Sequence, residues 1–85
     1  MAFYSVLYWQ DIPSQVKAYD DFDEVKIELD PKFMVLIDKT AQAKGLTGAD
    51  DYLNQLKWSD EKEMEGEVEE VAEAIKNKLE SESSN

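Results

Sequence analysis

Three groups of side chains in this sequence have types and spacings that could do chemistry. Tyr8, Trp9, Asp11 and Gln15 bracket an Ile12-Pro13 bend, setting two aromatic rings beside a carboxylate and an amide. Such a cluster suits recognition, because Tyr and Trp are enriched where proteins meet. The structural alternative is that the rings are core and Asp11 caps a turn. Asp20, Asp21, Asp23 and Glu24 could offer carboxylate oxygens to a divalent cation. They lack the sharp-turn glycine and closing glutamate of an EF-hand, so a solvated turn is the better reading. Asp50, Asp51 and Tyr52, with Trp58 downstream, pair carboxylates with a phenol, the equipment of acid–base work. Neighbouring helical positions do not face each other, however, and no nucleophile–base pair can be built from them.

What is missing narrows the chemistry further. The 85 residues include neither cysteine nor histidine. Disulfides, thiolate catalysis and the commonest zinc ligands are therefore excluded, along with the usual general base. All nine basic residues are lysines, against 20 acids, for a formal charge of −11. A polyanion is repelled by such a surface, and no guanidinium is present to grip phosphate, so nucleic acid is rejected as a partner. Anionic membrane surfaces are disfavoured for the same reason, and no apolar run is long enough to span a bilayer. The first residues carry no basic segment of a signal peptide, which leaves a cytoplasmic location as the expectation.

The elements that must position these groups centre on Val25 to Leu46. Val25, Ile27 and Leu29 alternate with Lys26 and Glu28 as in a strand with one wet face. Asp30 then stands as an N-cap before Pro31, and Gly45 closes the helix with Leu46 packing back. Within that helix Phe33, Leu36, Ile37, Thr40 and Ala41 form one stripe, widened by Met34 and Val35, so deep burial is expected.

Upstream, Phe3 to Trp9 is apolar on both parities and suits a central strand. Gln10 to Pro13 should end it. Gln15 to Tyr19 reads as the next strand, with Val16 and Ala18 on one side and Gln15, Lys17 and Tyr19 on the other. Downstream, Thr47-Gly48-Ala49-Asp50 resembles a capping box opening a short helix. Leu56-Lys57-Trp58 is expected as a brief fourth strand, and Ser59 to Gly66 as a loop. Val68, Val71, Ala72, Ile75 and Leu79 mark a last amphipathic helix from about Glu67 to Leu79. Residues 81–85 should be a disordered tail.

The blocks YW-x-D-IP-x-QV (Tyr8 to Val16), F-x-x-x-ID-x-x-A (Phe33 to Ala41), GLTG-x-D-x-YL (Gly45 to Leu53) and the closing EEVAEAI carry a resemblance. Together they look like the small bacterial virulence factor domain family, over Val6 to about Leu79. In longer proteins similar to conserved virulence factor C, that domain precedes helical repeats. Members often carry arginines in the hairpin and after the position of Trp58, where this chain has none, and this chain ends without the repeats. The resemblance implies an accessory or binding module and supplies no catalytic residue. On it, Trp9, Asp11, Pro13 and Gln15 match the first motif and are the residues expected to recognise a partner.

The sequence therefore predicts one α+β domain over residues 1–80. Its sheet should be small, largely antiparallel and of three to four strands, with two to three helices packed on one side. The expected role is a non-catalytic protein-interaction domain, monomeric or weakly homodimeric through a sheet edge. Its binding residues are expected among Tyr8, Trp9, Asp11, Pro13, Gln15 and Trp58, with no cofactor and no metal. The alternative is a small-molecule or divalent-metal binding protein.

Overall fold

The computed structural model describes residues 1–82. Strands β1 (Ala2–Trp9), β2 (Ile12–Tyr19) and β3 (Glu24–Glu28) form an antiparallel meander. Helices α1 (Pro31–Lys44) and α2 (Ala49–Leu53) follow, then short strands β4 (Leu56–Trp58) and β5 (Lys62–Met64), then helix α3 (Val68–Glu82). The sheet runs β3-β2-β1-β4, and β5 also pairs with β1. It is an α+β fold with β1 at its centre, as the two-sided apolar pattern of Phe3 to Trp9 requires.

The sheet has five strands where three or four were expected, because part of the stretch read as a loop is β5. Lys62, Glu63 and Met64 show no alternation and are all exposed. Their strand conformation comes from backbone pairing to Tyr4, Phe3 and Ala2, which no side-chain pattern announces. Between β4 and β5 the ladder continues through Ser59. Its N–H donates to the Val6 carbonyl at 2.8 Å, and its Oγ accepts the Val6 N–H at 2.9 Å. β2 likewise starts at Ile12 rather than Gln15. Pro13 is tolerated there because the register shifts between Leu7 and Tyr8, leaving Ser14 as the extra residue of a bulge. The freed Ser14 carbonyl accepts the Leu29 N–H at 3.2 Å.

Both ends of α1 follow from the residues at its punctuation marks. The Asp30 carboxylate accepts the Lys32 N–H at 3.0 Å, with Pro31 at the first helical position. Gly45 takes a left-handed φ of 72°, so that its N–H and that of Leu46 reach the Gln42 and Ala41 carbonyls. The depth of burial differs from expectation. Only Phe33, Ile37 and Ala41 are buried, while Met34, Val35 and Leu36 are exposed. The helix meets the sheet along one narrow ridge against β2, which covers a single row of side chains. α2 also differs: Gly48, not Thr47, is its N-cap, and no side chain caps it.

Helix α3 supplies the broad cover, packing Val68, Val71, Ala72 and Ile75 across β1, β2 and β3. It runs on through Ser81 and Glu82, where a disordered tail was expected; residues 83–85 lie outside the described part. Glu80 pairs with Lys76 at 3.2 Å, and its Oε2 also accepts the Asp30 N–H at 2.9 Å, tying the end of α3 to the start of α1.

Candidate functional site: the open face of the sheet

Strand alternation divides the sheet into two surfaces. Tyr4, Val6 and Tyr8 of β1 line a groove with Ile75 and Leu79, so their parity faces α3. Phe3, Ser5 and Leu7 point the other way, and the register carries that parity across the sheet. Phe3 lies opposite Tyr19, Ser5 opposite Lys17, and Leu7 opposite Gln15 on one side and Trp58 on the other. Lys17 lies opposite Lys26, and Gln15 opposite Glu28.

On this open face the aromatic residues form a row held by a cation. The Phe3 and Tyr19 rings stack with centroids 5.7 Å apart. The Lys17 ammonium lies 5.7 Å from the Tyr19 centroid and 4.8 Å from that of Trp58, so it bridges two rings. Trp58, on the edge strand β4, is 43% exposed, and Phe3, on the central strand, is 38% exposed, so the row presents large apolar surface to water. Acids rim the row: Glu24 opposite Tyr19, Glu63 opposite Phe3, and Glu28 at the edge strand. Glu61 accepts a hydrogen bond from the Tyr19 phenol. That bond, with desolvation and the nearby negative charge, raises the phenol above the ordinary tyrosine range.

The six residues expected to form a site are not brought together. Trp9 is fully buried, its indole N–H donating to the Tyr52 carbonyl at 3.0 Å and its ring packing against Tyr52. It is a core residue at the end of the sheet. Asp11 is exposed in the β1–β2 turn. Tyr8 and Pro13 pair across the strands on the α3 side. By alternation Trp9 points to the same side as Leu7, but Tyr52 of α2 covers it, so of the six only Gln15 and Trp58, on either side of Leu7, lie on the uncovered part of that face. The residues passed over were Phe3, Leu7, Lys17 and Tyr19. The signal for them lay in the parity of the first two strands, which was legible, while the restriction of helical cover on that parity to the Trp9 end was not.

The turn that links these strands is held from outside. Gln10 adopts φ 55°, a left-handed value that a non-glycine residue takes only when anchored. Its N–H donates to the Gln55 carbonyl at 3.0 Å, its amide donates to Gln55 Oε1 at 3.2 Å, and its own Oε1 accepts from Lys44 Nζ at 2.6 Å. At the other hairpin the Asp20 carboxylate accepts the N–H groups of Phe22 and Asp23, both at 2.8 Å. Those two bonds hold its carboxyl below the usual carboxylate range, the Phe22 bond foremost. Asp20 thus spends its lone pairs within its own turn. Among the described residues no three acidic side chains converge as metal ligands would.

A second concave feature, of about 360 Å³, lies between α3 and β1. Tyr4, Tyr8, Ser59, Lys62 and Lys78 give it polar atoms, and Ile75 and Leu79 an apolar floor.

Fold and site together define a small α+β domain whose sheet is covered by α3 on one face, while on the other α2 covers only the Trp9 end and leaves an aromatic row open. The chain belongs to the virulence factor family, whose model, described as "Virulence factor", matches residues 7–85. No curated protein and no solved structure matches the chain. No helix among the described residues is long and apolar enough to cross a membrane.

Proposed function

We propose that the chain is a non-catalytic protein-interaction domain of the cytoplasm, and that the open sheet face is its contact surface. The supporting observation is the row Phe3–Tyr19–Lys17–Trp58, a cation held between aromatic rings on an uncovered sheet. The occupant that suits it is an apolar peptide segment carrying lysine or arginine. Such a cation can take the place of Lys17 between the rings, and the acids at Glu24, Glu28, Glu61 and Glu63 attract it. Capture of partners by wild-type protein and by Trp58→Ala and Tyr19→Ala tests this, with circular dichroism as the check on folding. The partner recovered by wild-type protein should be lost by both variants and should carry a basic segment. Equal recovery by folded variants overturns the reading.

The groove between α3 and β1 supports a second reading, a small-molecule or metal-binding protein. A thermal-shift screen of metals and common metabolites distinguishes the two, because a ligand that binds only the native state raises the melting temperature. A saturable rise abolished by Tyr8→Ala would favour the groove.

A further inference from the structure

The outer side of α1 carries an apolar surface separate from the sheet. Lys32, Val35, Leu36 and Lys39 are spaced i, i+3, i+4, i+7, which puts them in one stripe of the helix. The stripe is turned away from the buried row of Phe33, Ile37 and Ala41. Val35 is 52% exposed and Leu36 48%, and a shallow groove of about 280 Å³ runs beside them, bounded by Lys32, Phe33 and Lys39. This is also the reverse of the protein's general charge. The helix holds three lysines against one aspartate in a chain of net −11. The single ion pair among the described residues is Lys76–Glu80, so Lys32 and Lys39 have no carboxylate partner there. The Lys32 ammonium instead lies 5.5 Å from the centroid of the Phe33 ring.

We propose that this face of α1 docks an acidic amphipathic helix from a partner protein. Apolar residues one turn apart would fill the strip beside Val35 and Leu36. Acids seven residues apart, about 10 Å along a helix, would meet Lys32 and Lys39. Among the described residues, a second copy of this chain offers no such helix. The apolar row of α3 is buried against the sheet, and α2 spans only Ala49–Leu53. An anionic bilayer also suits an apolar, lysine-flanked helix taken alone, but the remaining charge of this chain is repelled by it.

The test uses the full chain and a labelled helical peptide built on the repeat Glu-Ala-Ala-Leu-Leu-Ala-Ala-Glu, followed by fluorescence anisotropy. A control peptide has lysine in place of each glutamate. The acidic peptide should bind and the basic one should not. The double variant Lys32→Glu/Lys39→Glu, and separately Leu36→Ser, should weaken binding at least about tenfold. Trp58→Ala should leave it unchanged, which keeps this result separate from that of the sheet face. Both peptides binding alike, or the acidic one failing to bind folded protein, overturns the proposal. So does a concentration-dependent dimer in sedimentation that Leu36→Ser abolishes, which would make a second copy the occupant. Flotation with phosphatidylglycerol vesicles that is lost in Lys32→Glu/Lys39→Glu would overturn it in favour of a membrane.

Discussion

The Trp9 indole N–H donates to the Tyr52 carbonyl at 3.0 Å, and the two rings lie 5.6 Å apart. That one contact locks the end of the central strand to the short helix after α1. It also removes from the surface the residue with the best sequence claim to be a binding aromatic. Trp9→Phe keeps most of the packing and loses the bond, so about 1 kcal/mol of stability should go. Trp9→Ala leaves a large cavity and should cost about 3–5 kcal/mol, a large share of what a domain of this size has. Urea unfolding measures both. Acrylamide quenching provides an independent check: Trp58→Phe protein, retaining Trp9, should resist quenching, and Trp9→Phe protein should be quenched readily. Equal quenching would mean that Trp9 is not buried.

Gly45 offers a cleaner stability test, because it is open to solvent with no atom in the way of an added methyl group. The cost of Gly45→Ala is then conformational, the penalty for an L-residue in the left-handed region, about 1–2 kcal/mol. Gly45→Asn should cost less, since asparagine tolerates that region. A chemical-denaturation series in which alanine and glycine are equally stable would rule out the left-handed cap.

Asp20 makes the acid stability of the protein depend on a turn. Its carboxyl is held below the usual range by the Phe22 and Asp23 N–H groups and returns to about 3.9 in the unfolded chain. A lowered folded value contributes stability above the unfolded value, lost as pH falls through the folded one. Asp20→Asn cannot titrate, so its melting temperature should fall less steeply than wild type below about pH 4. Parallel acid limbs for the two proteins would show that the turn contributes no pH dependence.

Much of the architecture was legible because it rests on local rules. Asp30, Pro31 and Gly45 set the ends of α1 through capping and backbone geometry that need no distant partner. The alternation of Val25 to Leu29 and of Gln15 to Tyr19 gave the two sheet faces. β5 was not legible, since Lys62 to Met64 become a strand only by pairing with the other end of the chain. The six expected site residues fared as their local signals allowed. The Tyr8-Trp9-Asp11 bend is a real turn, yet a turn does not say which of its aromatics the rest of the chain will cover.

By itself, then, the sequence determined the class of fold, the helix ends and the chemistry ruled out by missing cysteine and histidine. These depend on residue identity and on spacings of a few positions. Which surfaces stay uncovered was decided by tertiary structure alone. α3 covers one face of the sheet, while α1 meets it on a single ridge, leaving Phe3, Tyr19 and Trp58, and separately Val35 and Leu36, in contact with water. Apolar residues are written alike in the sequence whether or not another element packs on them, and the cover comes from residues dozens of positions away.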